Sequence, residues 1–309
     1  MFAMNKNKTV WLALLTMLLW GSLFPMVKLG YGAFDISSKS VPDILMFASY
    51  RFIISGLVVL VFCLFKKEKI ATPKAKSILS IVIMGLFSIV LHYACTYIGL
   101  STTDSSKTAL IKQLGVLIYV CFAFLFFKNE KFSIFKIIGA IVGFGGIIAI
   151  NYNPGGLTFA MGDILIIGAS ICTVVANVIS KKSVQGSSPY WITGISQLFG
   201  GIVLFIAAVI MGADFLKFNL TAALIFTYIC IASICSYTLW YYVLKNNSLS
   251  KMFIIKFAEP LFACLFGALI LGQNILKWQY LIAFLLISFG IVLGNKSDKT
   301  NIGQRIRKE

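Results

Sequence analysis

A single histidine and ten carboxylate side chains are all that this chain offers among the usual acid–base and metal-binding groups. The patterns HExxH and GxSxG are absent, and no pair of aspartates falls on segments expected to face one another. Those absences argue against an intramembrane enzyme. His92 stands alone, so a multi-histidine metal site lacks ligands. The cysteines (Cys63, Cys95, Cys121, Cys172, Cys230, Cys235 and Cys264) all fall in apolar stretches, and none forms a CxxC pair. They read as small packing residues. No metal or other cofactor is expected. The phosphate-cradling pattern GxxxxGK(S/T) is missing too, as is any soluble nucleotide-binding domain, so energy for a transport cycle must come from a gradient or a partner.

Charge is also scarce. Only 12% of the residues are charged, 59% are hydrophobic, and the mean hydropathy is +0.93. Soluble domains run near 25% charged and 45–50% apolar. A soluble chain of 309 residues has nowhere to bury so much apolar surface. Acidic residues are scarcest, which leaves a formal charge of +17. In a soluble protein that excess suggests nucleic acid. Here the charges form short clusters between apolar runs, which suits loops facing anionic lipid instead. The expected partners are a lipid bilayer and a small-molecule substrate, with no nucleic acid.

What is present is a series of apolar runs near the roughly 20 residues a spanning helix needs. Ten qualify: Val10–Tyr31, Asp43–Phe65, Ser77–Leu100, Ser105–Phe127, Ser133–Asn151, Phe159–Lys181, Tyr190–Met211, Leu220–Leu244, Ser250–Leu271 and Leu276–Asn295. The first follows Lys6 and Lys8 as a signal peptide would, but it continues past Trp20 to Leu29 without a small-x-small cleavage site, so it reads as a retained helix. The fold class is thus an all-α polytopic membrane protein. The link carrying Asn153, Pro154, Gly155 and Gly156 is the best boundary between halves.

With the N-terminus inside, the inner segments hold Lys6, Lys8, Lys66, Lys67, Lys69, Lys74, Lys76, Lys128, Lys131, Lys136, Lys181, Lys182 and Lys245. The tail 296–309 adds Lys296, Lys299, Arg305, Arg307 and Lys308. The outer loops hold only Lys39, Lys217 and Lys277, with Lys107 at a border. That bias predicts both termini in the cytoplasm and an even number of spans in the inner or plasma membrane.

The chain also repeats itself. Residues 93–151, displaced by 144 positions, land on 237–295. The displacement pairs Tyr93 with Tyr237, Tyr97 with Tyr241, Leu100 with Leu244, Ser106 with Ser250, Lys107 with Lys251 and Lys112 with Lys256. It also pairs Gly146 with Gly290, Ile147 with Ile291 and Asn151 with Asn295. Matches of Leu or Ile are cheap in an apolar chain, but matched Lys and Tyr pairs are not. Five spans per copy (10–151 and 159–295) invert the second copy in the membrane, a recurring signature of secondary transporters.

At these residues the sequence resembles the EamA-type transporters of the drug/metabolite transporter superfamily. The first span carries Trp20-Gly21-Ser22-Leu23-Phe24-Pro25 and then Lys28; the second opens with Arg51-Phe52 and the sixth with Gly162-Asp163. The ninth carries Glu259-Pro260-Leu261-Phe262-Ala263 and then Leu271-Gly272. The fifth and tenth end in Gly-rich runs, Gly139 to Gly146 and Gly290 to Gly294. The family often has Pro where this chain has Val116, and Glu where it has Gln273. The resemblance implies ten helices in two inverted five-helix repeats, a central cavity and alternating access, and many similar proteins export amino acids or other metabolites.

Intramembrane charges are costly and face a cavity or a partner. Lys112 and Lys256, each about two turns into its span, are the best candidates for cationic groups that hold a carboxylate or phosphate; the alternatives are snorkelling or pairing with a carboxylate. Lys107 and Lys251, nearer the ends, read as snorkelling. Glu259 lies three residues after Lys256, so it is placed to neutralise that lysine or to carry a coupling proton. Pro260 removes a backbone donor one turn on. His92 reads as a packing histidine or a titrating one, and with Tyr93 and Tyr97 it forms the preferred lining set. Trp20, Tyr237 and Tyr241 are further candidate walls, whereas Trp191 and Trp240 also suit a membrane interface. Asp43 and Asp163 read as helix caps, and Arg51 and Lys28 as either cavity or interface residues. Gly139-x-x-x-Gly143 permits close helix packing, which alone does not specify a homodimer; that partner stays open.

The residues therefore favour a secondary transporter of a small metabolite, an amino acid or related carboxylate-bearing solute, and the resemblance implies export. A channel, or a sensor or scaffold without a transport cycle, is the alternative, though no filter-like loop or extended signalling domain is present. An intramembrane enzyme comes last.

Overall fold

The computed structural model describes residues 6–66, 73–126, 134–153, 156–157, 159–247, 249–256, 258–274, 277–286, 288–290 and 292–293. Lys67, Lys69, Lys128, Lys131, Pro154, Gly155, Asn295 and the tail 296–309 lie outside them, with whatever the sequence predicts there.

The apolar runs fold as helices. They are α1 (Lys6–Ala33), α2 (Val41–Phe65), α3 (Ala75–Gly85), a π-helical turn (Leu86–Leu91), α4 (His92–Thr102), α5 (Ser105–Ile111), α6 (Leu114–Phe126) and α7 (Ile134–Asn151). After two-residue strands β1 (Tyr152–Asn153) and β2 (Gly156–Leu157) come α8 (Met161–Gly186), α9 (Pro189–Ile210), α10 (Leu220–Asn246), α11 (Leu249–Ile255) and α12 (Ala258–Leu271). A further apolar helical stretch covers Trp278–Gly290. The strands pair antiparallel, Tyr152 opposite Leu157, in the link that the glycines and proline mark.

Six of these helical runs are long and apolar enough to cross a bilayer, the continuous run Ala75–Thr102 among them. Their surface is inverted relative to a soluble protein. Ile210 is 79% exposed and Leu269 is 72% exposed, while Arg51 and Asp163 are fully buried. Such an apolar exterior around a polar centre is stable only when lipid replaces water outside.

Two predicted spans are broken. The fourth divides into α5 and α6 at Lys112–Gln113, and the ninth into α11 and α12 after Ile255, at Lys256. The breaks are displaced by the same 144 positions that separate the two lysines. In the ninth span the cause is local: Pro260 has no N–H for the carbonyl of Lys256, which instead accepts from Glu259 N at 3.1 Å. The fourth span breaks without a proline. There Gly115 N donates to the Lys112 carbonyl at 3.1 Å and Val116 N to the Gln113 carbonyl at 2.9 Å, a tightened turn of i−3 bonds.

α1 lies against α10 and α12, α8 lies against α3, α4 and α6, and α2 pairs with α9. Two glycines set close crossings beside the breaks. A Cβ on Gly21 would stand 2.6 Å from Phe262 Cβ and 2.9 Å from the Glu259 carbonyl, so α1 reaches the start of α12 only without a side chain there. A Cβ on Gly115 would stand 2.8 Å from the Ser170 carbonyl, where α8 crosses the start of α6. Both broken helices are thereby held at the centre of the bundle.

Candidate functional site

The two breaks open on one central cavity of about 70 Å3. α1 contributes Trp20 and Phe24, α2 contributes Arg51, and α4 contributes His92, Tyr93, Thr96 and Tyr97. Across from them stand Thr173 and Asn177 of α8, Tyr237, Trp240 and Tyr241 of α10, and Lys112, Lys256 and Glu259 at the breaks. The π-helical turn ends at Leu91, immediately before His92. Wide turns of this kind are frequent at functional sites.

Cations dominate. Arg51 is wholly buried; its Nε donates to Ser233 Oγ at 2.6 Å and its Nη1 donates to the Tyr97 hydroxyl. Its Nη2 has no hydrogen-bond partner. The guanidinium lies 4.7 Å from the Phe52 ring centre and 5.1 Å from that of Tyr93. Lys112 Nζ stands 3.8 Å from Glu259 Oε1, an ion pair too long for a good hydrogen bond, and 4.9 Å from the Phe24 ring centre. Lys256 Nζ faces the rings of Trp20, Phe253 and Trp240 at 5.4, 5.7 and 5.9 Å. Aromatic faces ease the burial of a cation but carry no compensating charge.

Glu259 is the one carboxylate among the described lining residues. It is the second residue of α12, where the helix dipole favours an anion, and its Oε2 has no partner. His92 Nδ1 lies 3.1 Å from the Ala169 carbonyl and 2.7 Å from Thr173 Oγ1. A carbonyl only accepts, so Nδ1 carries the proton and the Nε2 lone pair faces Lys112 Nζ at 3.5 Å.

Aromatic groups fix the walls. Tyr237 donates to the Tyr93 hydroxyl at 3.0 Å, and Trp240 Nε1 donates to Asn177 Oδ1 at 2.9 Å. Trp20 stands edge-on to Tyr237 with ring centres 5.7 Å apart.

The nine residues taken from the sequence as substrate-binding or proton-coupling candidates (Trp20, His92, Tyr93, Tyr97, Lys112, Tyr237, Tyr241, Lys256 and Glu259) line this cavity. Glu259 meets Lys112 of the other half at 3.8 Å, a contact across the two breaks. Arg51, open between cavity and interface, belongs to the cavity, whereas Lys28 and Trp191 are half-buried and outside its lining. Trp240 is a wall residue rather than an interface marker, because its indole N–H is buried against Asn177. Lys107 does not snorkel; it pairs with the buried Asp163 at 2.8 Å. Asp163 still caps α8 by accepting from Ala160 N at 3.0 Å. Asp43 caps α2 with Ser40 and also accepts from Asp214 N at 3.0 Å. The side chain of Lys251 lies outside those described. Sequence reasoning missed Thr173 and Asn177. Their signal was a polar stripe in an apolar span, Thr173, Asn177 and Ser180 at helical spacing.

The model of the EamA-like transporter family matches residues 7–152 and again 160–295. An uncharacterized transporter of Archaeoglobus fulgidus is 26% identical over 87% of this chain and 91% of its own length. The uncharacterized inner membrane transporter YedA of Escherichia coli is 25% identical over 89% and 87%, and the uncharacterized transporter YvbV of Bacillus subtilis is 23% identical over 95% and 93%. A solved crystal structure superposes with a TM-score of 0.66 over 98% of this chain and 99% of its own, at 17% identity, a likeness of fold.

Proposed function

The chain belongs to the EamA-like transporter family and is a multi-pass membrane transporter, and from that premise we propose that it is a secondary transporter of a small carboxylate-bearing metabolite, an amino acid or a related acid. The cycle is alternating access: two inverted five-helix halves, ten spans in all, rock about the central cavity. The lysine-rich segments support a topology with both termini in the cytoplasm of an inner or plasma membrane, and the proposed direction is export, the direction common among similar proteins.

One observation carries this reading. Arg51, Lys112 and Lys256 converge on one cavity at the level where two spans break, with Glu259 as their single described counter-charge. Discontinuous spans at a buried site are how secondary transporters expose helix ends and charges to a substrate at mid-membrane. The cations supply the carboxylate site, and Tyr93, Tyr97, Trp20, Tyr237 and Tyr241 supply its walls.

The test is a thermal-shift screen of the purified protein against amino acids, organic acids, phosphorylated metabolites and quaternary amines, followed by flux in proteoliposomes. A ligand specific to the folded state raises its apparent stability. Carboxylate-bearing solutes should stabilise the protein, and Lys112→Ala or Lys256→Ala should abolish the effect. If only cationic or neutral solutes stabilise it, the carboxylate reading is wrong.

A further inference from the structure

We infer that the substrate of this cavity is a small dianion, a dicarboxylate or a phosphate monoester, held between Arg51 and Lys256; the inference rests on the transport reading above and narrows its substrate class.

The argument is one of charge and hydrogen-bond balance. The described lining holds three basic side chains, Arg51, Lys112 and Lys256, against the single carboxylate of Glu259. His92 is counted as neutral, its Nδ1 facing the Ala169 carbonyl and its Nε2 facing Lys112. By formal charge the lining carries an excess of two positive charges. The charge of Glu259 is engaged at Lys112, 3.8 Å away. Arg51 meets only neutral partners, Ser233, Tyr97 and aromatic rings, and Lys256 faces three aromatic rings.

Unpartnered polar atoms point the same way. Arg51 Nη2, Trp20 Nε1 and Thr96 Oγ1 line the cavity without a hydrogen-bond partner, and all three can donate. Among the described lining residues, the orphan that can only accept while ionised is Glu259 Oε2. A ligand made of acceptors satisfies the donors. A zwitterion would bring an ammonium for Glu259 and a carboxylate for one cation, and the excess of two would stand. Alternating access closes the site to water on both sides at one stage, when uncompensated charge costs most. A dianion brings the formal sum of lining plus ligand to zero.

The experiment compares ligands of one length and different charge: succinate, butyrate and 4-aminobutyrate, with glycerol phosphate as the phosphate monoester. Each is scored on the full-length protein by thermal shift and by counterflow in proteoliposomes. Succinate or glycerol phosphate should half-saturate at a concentration at least 10-fold lower than butyrate or 4-aminobutyrate. Which of the two is preferred distinguishes a carboxylate source from a phosphate source. Lys256→Gln lowers the excess to one, so it should erase or reverse the preference of dianion over butyrate; a merely structural lysine would weaken all ligands together. The wild-type comparison stands even where the variant does not fold. Butyrate or 4-aminobutyrate matching the dianions in the wild-type protein overturns the dianion inference and leaves the carboxylate reading intact. Binding confined to cations or uncharged solutes overturns both.

Discussion

Tyr237 donates its hydroxyl to Tyr93 at 3.0 Å, and the two residues are 144 positions apart. The same displacement relates Lys112 to Lys256 and the break after α5 to the break after α11. Residues at positions matched by that displacement thus touch at the cavity. Removing one hydroxyl deletes a single buried hydrogen bond. Tyr93→Phe or Tyr237→Phe should each cost about 1 kcal/mol of stability. The double variant should cost little more than either one, because each single change already removes the bond. Equal, fully additive costs in chemical denaturation would dissociate the two hydroxyls.

The match between positions fails at one informative place. The position equivalent to Glu259 is Gly115, so one half supplies a carboxylate and the other supplies none. Glu259→Gln leaves Lys112 without its counter-charge. Stripping one partner from a buried ion pair costs on the order of 3 kcal/mol. A lower Tm and transport reduced at least tenfold are expected. Adding Lys112→Gln to Glu259→Gln should restore much of the lost stability, because both charges are then gone. A double variant less stable than the single would mean that the 3.8 Å pair is incidental.

Much of this was legible beforehand, and the physical reason is length. Apolar runs of about 20 residues admit few structures in lipid. Matched lysines and tyrosines then exposed the duplication that points to a shared cavity. The breaks were less legible. Pro260 marks one, but nothing local marks the break at Lys112, where only its equivalence to Lys256 carries a signal. Arg51 was ambiguous because it lies about 15 Å from the start of α2, within range of both a snorkelling and a cavity position. The tie of Lys107 to Asp163 joins residues 56 positions apart, and no periodicity encodes such a pairing.

That tie makes its own prediction. Lys107 near the start of α5 and Asp163 in the first turn of α8 pair at 2.8 Å, and Thr103 Oγ1 lies 3.5 Å from the same carboxylate. The pair fastens α5 to α8 at one end of the bundle. Asp163→Asn keeps an acceptor for the α8 cap while removing the charge that holds Lys107. Thr96→Cys, placed on the cavity wall in a cysteine-free background, reports access. A membrane-impermeant thiol reagent added on the Lys107 side should label that cysteine several-fold faster once Asp163→Asn is present. An unchanged labelling rate would reduce the tie to a helix cap.

The crossing at Gly21 predicts a different failure. A Cβ there would meet Phe262 Cβ at 2.6 Å and backbone atoms of Glu259 and Ala263 at 2.9 Å, none of which is the end of a flexible side chain. Gly21→Ala should push α1 away from the start of α12 and carry Glu259 with it. Overpacking of this kind typically costs 1–3 kcal/mol. Gly32→Ala, where a Cβ meets nothing within 4 Å, is the control and should leave both Tm and flux near wild type.

The last prediction concerns Val116, which occupies the position equivalent to Pro260. Proline inside an intact helix removes an i−4 bond and costs about 3 kcal/mol. Val116 N donates to the Gln113 carbonyl at 2.9 Å rather than to Lys112, so the i−4 bond that a proline would remove is not made. The preceding residue is Gly115, whose missing side chain eases the restriction that proline places on its neighbour. Val116→Pro should therefore cost well under 3 kcal/mol, and it should leave transport largely intact, since it installs in the fourth span what the ninth already has. Ile118→Pro, two residues further into α6, should cost the full amount and abolish flux. Equal damage at the two positions, read as Tm and proteoliposome uptake, would mean that the turn at Lys112–Gln113 is too strained to accept proline and that the two breaks have different physical origins.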